Sequence, residues 1–134
     1  MSLVDSEVNL EADVAATSPN LTFASKDKSA GVVISGVHTD IVIKNYRNRM
    51  FLIITQFEKF GSILTVTKEE AAKSAVYTVK TILGKDDDQI HVAVRYIAEQ
   101  IDTEKPLLIS ICLKDYGVET VKHIVAAIKK IQSL

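Results

Sequence analysis

The chain has 134 residues, 47% of them hydrophobic, with 16 Lys and Arg against 17 Asp and Glu and a formal net charge of −1. That length suits one domain able to bury about two-thirds of its extended surface, the charge balance argues against the concentrated basic face of a nucleic-acid binder, and no apolar run approaches the roughly 18 residues of a membrane span. A single cysteine, Cys112, excludes an internal disulfide and, with a start lacking the basic and apolar regions of a signal peptide, fits the cytosol, the nucleus or both.

Residues 1–20 read as a flexible acidic arm and 21–134 as the single domain. The first 25 residues hold Asp5, Glu7, Glu11 and Asp13 and no Lys or Arg, contributing −4 and leaving +3 for the remainder. A weak strand candidate at 21–28 precedes a stronger one at 31–35, and 39–46 alternates apolar with polar residues. After the Arg47-Asn48-Arg49 corner come five consecutive apolar residues, Met50, Phe51, Leu52, Ile53 and Ile54. Such a run predicts a central strand covered on both faces. A sharp turn ending at Gly61 is expected to return it as the strand 62–67.

The segment 68–75, KEEAAKSA, breaks the strand rhythm and is too short for a helix of its own. It reads as a protruding mobile loop before the strand 77–83. Asp86, Asp87 and Asp88 then precede Ile90, Ala93, Val94, Ile97 and Ile101, which share one helical face. The acids suit capping of the free N–H groups. Pro106 opens a second doubly covered strand at 107–113, and from Asp115 or Tyr116 a last helix carries Val118, Val121, Ile124, Val125, Ile128 and Ile131 on one stripe. The sum is an α+β fold, an antiparallel sheet or sandwich core of about six strands flanked by two long helices.

Chemistry finds little foothold. Cys112 lies inside an apolar strand, where a thiol packs. His38, His91 and His123 show no metal spacing. Gly84-Lys85 lacks the rest of a phosphate loop, and the Asp triplet lacks the calcium-loop pattern. Glu69 and Glu70 form no evident acid–base pair. These features imply no enzyme, no cofactor and no metal. Val92 and Tyr96, four apart, project away from the Ile90-Ala93-Val94-Ile97 face; they either flank a broad buried stripe or form a second contact face for a partner.

Four segments carry a resemblance. From about Ser25 to Ile131, with Gly36-Val37, IITQFEKFG at 53–61, ILGKDDDQIHV at 82–92 and LLISICLKD at 107–115, the chain resembles the proteasome assembly chaperone 3 family. Glu58 and Phe60 depart from the family turn, and the acidic arm is longer than the family needs. The resemblance implies a non-enzymatic chaperone that pairs with a similarly folded subunit, proteasome assembly chaperone 4, or with itself when that partner is missing. It also implies transient binding of proteasome α-subunits during ring assembly, without nucleic acid or membrane. Lys68, Glu69, Glu70 and Lys73 are then candidates for contact with an α-subunit or the partner; a solvated connector is the alternative. A roadblock- or profilin-like dimeric scaffold in trafficking or signalling is the other function class, set apart by a helix among its early strands.

Overall fold

The computed structural model describes residues 27–57, 61–70 and 74–134; the arm at 1–20, the strand candidate's first part at 21–26, and Glu58, Phe60 and Lys73 lie outside the described residues. Six strands, β1 (Lys28–Ile34), β2 (Val37–Asn45), β3 (Met50–Thr55), β4 (Ser62–Glu70), β5 (Ala75–Leu83) and β6 (Leu107–Cys112), form one sheet with two helices, α1 (Asp88–Ile101) and α2 (Val118–Gln132). The α+β class with two long helices is the expected one. The sheet is single and mixed, with no second layer of strands among the described residues, in the order β1-β2-β3-β6-β4-β5.

The expected β3–β4 hairpin does not form. β6 lies between the two, parallel to β3 and antiparallel to β4. A parallel pair needs a long connection, and here β4, β5 and α1 supply it. The chain between β3 and β4 must therefore cross the end of β6, and two residues make this possible. A Cβ on Gly61 would lie 2.2 Å from the Ile111 carbonyl oxygen, so only glycine fits that approach. Gln56 ties the crossing down: its amide donates to Thr39 Oγ1 at 3.0 Å and its carbonyl accepts from Lys114 N at 2.8 Å. The β1–β2 turn is tight instead, with Ser35 and Gly36 both at positive φ, the backbone of a two-residue hairpin.

Both helices pack on the same face of the sheet. Period-two alternation sends Ile41 and Ile43, Met50, Leu52 and Ile54, Leu64 and Val66, and Leu107, Ile109 and Ile111 to that side. There they meet Ile90, Val94 and Ile97 of α1 and Val121, Ile124 and Ile128 of α2. Asp87 caps α1 by accepting from Gln89 N at 2.7 Å, and Lys28 Nζ donates to the carbonyl of Gln132, the last residue of α2, at 2.8 Å.

Among the described residues, no helix lies over the opposite face. The expectation that β3 and β6 are covered on both sides is thus corrected: Phe51, Ile53 and Leu108 remain half-buried. The expected loop at 68–75 is corrected too. Lys68, Glu69 and Glu70 continue β4, paired with Tyr77, Val76 and Ala75 of β5. Cross-strand pairing overrides the local helical leaning of KEEAAKSA, as tertiary context commonly does. Because β6 pairs β4 from Ser62 only as far as Val66, the β4–β5 hairpin runs on beyond the sheet body.

Candidate functional site: the open sheet face and the projecting hairpin

The open face has an apolar centre. Val42, Phe51, Ile53, Leu108 and Ile63 fall on it in adjacent rows of β2, β3, β6 and β4. Around them stand His38, Asp40, Lys44, Thr65, Thr67 and Lys80. His38 Nε2 lies 2.8 Å from Asp40 Oδ1, and Gly31 leaves room for the ring, since a Cβ there would be 2.8 Å from His38 Cε1. An apolar centre inside a polar rim is the anatomy of a protein–protein contact. In the middle sits Ser110, 1% exposed, whose hydroxyl has no hydrogen-bond partner among the described residues.

At one end of this face the projecting hairpin is clasped to α1. Asp102, beyond the last turn of α1, adopts the left-handed conformation at φ 46°, which Asp tolerates better than most residues. Its Oδ1 accepts from Lys68 Nζ at 2.9 Å and from Tyr77 OH at 3.1 Å, and Lys68 Nζ lies 6.0 Å from the Tyr77 ring centroid. The Lys68 hydrogen bond holds the Asp102 carboxyl below its ordinary range, and the same bond holds the Lys68 ammonium above its own. Burial, followed by the hydrogen bond to Asp102, raises Tyr77. Glu70 adds a weaker contact, 3.9 Å from Lys68. Of the sequence-derived candidates, Lys68 is therefore a brace, Glu69 and Glu70 lie outward on the same strand, and Lys73 falls outside the described residues.

Val92 and Tyr96 differ in burial. Val92 is 64% exposed, whereas Tyr96 packs against the core. The open face itself is absent from the sequence-derived candidates. Its signal was present as the second set of apolar residues in β3 and β6, but that set reads equally as a buried surface.

Two other constellations are structural. Thr81 Oγ1 and Asp86 Oδ1 both lie 2.8 Å from the same nitrogen, His91 Nε2. A nucleophilic relay requires hydroxyl and acid on opposite ring nitrogens, so this cluster ties β5 to the first turns of α1. An open cleft of about 430 Å³ lies where Gly61, Ser62, Gly84, Lys85, Asp87, Ile111 and Tyr116 meet. Its polar groups are already engaged: Ser62 Oγ donates to the Lys85 carbonyl and accepts from Lys85 N, while Tyr116 OH accepts from Leu113 N. Burial raises Tyr116, leaving it a neutral phenol at physiological pH.

The model of the family described as proteasome assembly chaperone 3 matches residues 52–131. The chain belongs to that family. Proteasome assembly chaperone 3 of Nematostella vectensis is 29% identical over 120 residues, 80% of this chain and 89% of the relative. The human protein of that name is 27% identical over 114 residues, 81% of this chain and 92% of the relative. Among solved structures, a chain from "Crystal Structure of a Novel Chaperone Complex for Yeast 20S Proteasome Assembly" superposes with TM-score 0.63 at 17% identity, covering 79% of this chain and 98% of that one; at that identity the likeness shows the fold.

Proposed function

We propose that this protein escorts assembly of the proteasome core particle by contact rather than catalysis, pairing through its open sheet face with a similarly folded subunit. The observation that carries this reading is the one-sided placement of the helices, which leaves Phe51, Ile53 and Leu108 half-buried on the face away from both. Family membership and the yeast complex support it. A second sheet is the natural occupant, since two sheets stack about 10 Å apart with interdigitating side chains. With strands ~4.8 Å apart and ~20–30 Å long, a six-strand face projects ~500–800 Å², comparable with the ~800 Å² per partner of a specific interface. The resulting sandwich is then intermolecular.

The partner suggested by the family is a proteasome assembly chaperone 4-like subunit, with a homodimer as the form taken in isolation. The projecting β4–β5 hairpin, with Glu69, Glu70 and Lys73, is the element offered to an α-subunit, and Lys68 sets its angle through Asp102. The test is light scattering and pull-down with Ile53→Lys. The reading predicts a folded monomer that no longer captures the partner chaperone. A variant that assembles and captures as the wild type does defeats it.

A further inference from the structure

The end of the sheet beside the chain's first described residues carries an unsatisfied basic corner. Tyr46, Arg47, Asn48 and Arg49 connect β2 to β3, closed by a hydrogen bond from Tyr46 N to the Arg49 carbonyl at 2.9 Å. Lys105, from the α1–β6 connection, donates to the Tyr46 carbonyl at 2.7 Å and holds the corner in place. Among the described residues neither guanidinium of Arg47 and Arg49 has a hydrogen bond or an ion pair. Tyr46 stands beside them, 44% exposed. Glu104, next to Lys105, pairs with neither arginine. A braced turn presenting two free guanidinium forks and a tyrosine is suited to carboxylates on a peptide. Two cations are too few for a nucleic-acid backbone.

The occupant is named by charge and position. The first 25 residues bear Asp5, Glu7, Glu11 and Asp13 and no Lys or Arg. The described residues begin at this same end of the sheet: Asp27 Oδ2 pairs with Lys44 Nζ at 3.1 Å, and Lys44 is three residues before Arg47 in the chain. That separation is ~10 Å, whereas the 14 residues from Asp13 to Asp27 span up to ~46 Å when extended. Tethering of this kind gives an effective concentration of order millimolar, so individually weak surface pairs become populated.

We infer that the Tyr46–Arg49 corner is a docking surface for acidic peptide segments, and that the chain's own acidic N-terminal segment occupies it. An acidic segment of a client must displace the resident one.

Paramagnetic relaxation tests this, with a nitroxide on Ser6→Cys in a Cys112→Ser background of the full chain. Amide signals of Arg47, Asn48 and Arg49 lose intensity at low salt and recover at about 0.5 M NaCl, where screening is nearly complete within a contact distance. They also recover in Arg47→Gln/Arg49→Gln, whose exposed sites leave the fold intact, and on addition of excess hexaglutamate. Corner signals unaffected by the label, or attenuated equally after the Gln substitutions, overturn the inference; so does a hexaglutamate peptide that fails to compete. Attenuation seen only when spin-labelled and isotope-labelled copies are mixed assigns the corner to a second copy's segment and overturns docking within one chain.

Discussion

The two faces of the sheet are built by the same strands and differ in what covers them. On one, Leu52, Ile54, Leu64 and Ile109 are wholly removed from solvent beneath α1 and α2. On the other, one residue along each strand, Phe51, Ile53, Ile63 and Leu108 stop half-way. Apolar residues on both faces of a strand therefore demand two covers, but do not say that one chain provides both. In the proposed pairing the helix-covered face serves stability and the other serves association, and substitutions on either side of the sheet should separate the two.

The largest effect is expected on the helix side. Leu52→Ala removes a fully buried side chain and should destabilise the monomer by about 2–5 kcal/mol, read as a lowered urea midpoint. Ile53→Lys, its neighbour on the open side, should shift the midpoint by about 1 kcal/mol or less, since a long stem can carry its charge to water. Its effect should instead appear in capture of the partner. An Ile53→Lys variant as unstable as Leu52→Ala would mean that the open face is filled from within.

Much of the helix side was legible in the sequence. Ile90, Ala93, Val94 and Ile97 in α1, and Val121, Ile124, Val125, Ile128 and Ile131 in α2, all fall in the core as their spacing predicts. Val118 does not; it opens the first turn of α2 and is 67% exposed. Strand order was not legible. Period two places side chains on faces but says nothing about neighbours, so β6 could not be foreseen between β3 and β4. Gly61 and Gln56 mark the crossing only once the neighbour is known. The clasp escaped for the same reason: Lys68 and Asp102 lie 34 residues apart, joined by a hairpin and a helix. KEEAAKSA read as a loop because its cross-strand partners in β5 are invisible to local propensity.

The clasp yields a smaller prediction with a definite sign. Asp102 is depressed by its hydrogen bonds and the Lys68 charge, so its contribution is present above its unfolded value near 3.9 and is lost as pH falls through the lower folded value. Lys68 is raised, first by its hydrogen bond to Asp102, so its contribution is present below its unfolded value near 10.4 and is lost as pH rises through the higher folded value. Between those limits the clasp is intact. Asp102→Asn keeps a residue that tolerates positive φ and removes the charge. Backbone amides of 67–70 and 75–78 should then exchange several-fold faster at neutral pH, with global stability little changed because the pair is exposed. The difference from wild type should vanish in acid, where Asp102 is neutral. Unchanged exchange at neutral pH would show that cross-strand pairing alone holds the hairpin.

The smallest change in the monomer is expected at Ser110, and it tests the open face most closely. Its hydroxyl is buried without a partner, and a group in that state forfeits its hydrogen bonds to water without replacement. Ser110→Ala should therefore leave the monomer as stable as the wild type or raise its stability by up to about 1 kcal/mol. Isolated-chain stability and affinity for the partner must be measured separately. If the apposed sheet only covers Ile53, Ile63 and Leu108, affinity follows stability and changes little. If neighbouring side chains part on docking and the partner reaches the hydroxyl, Ser110→Ala weakens capture while the urea midpoint holds or rises. Opposite signs in the two measurements would identify Ser110 as a polar contact within an apolar interface, where an unmatched partner pays the full cost of leaving the hydroxyl unpaired.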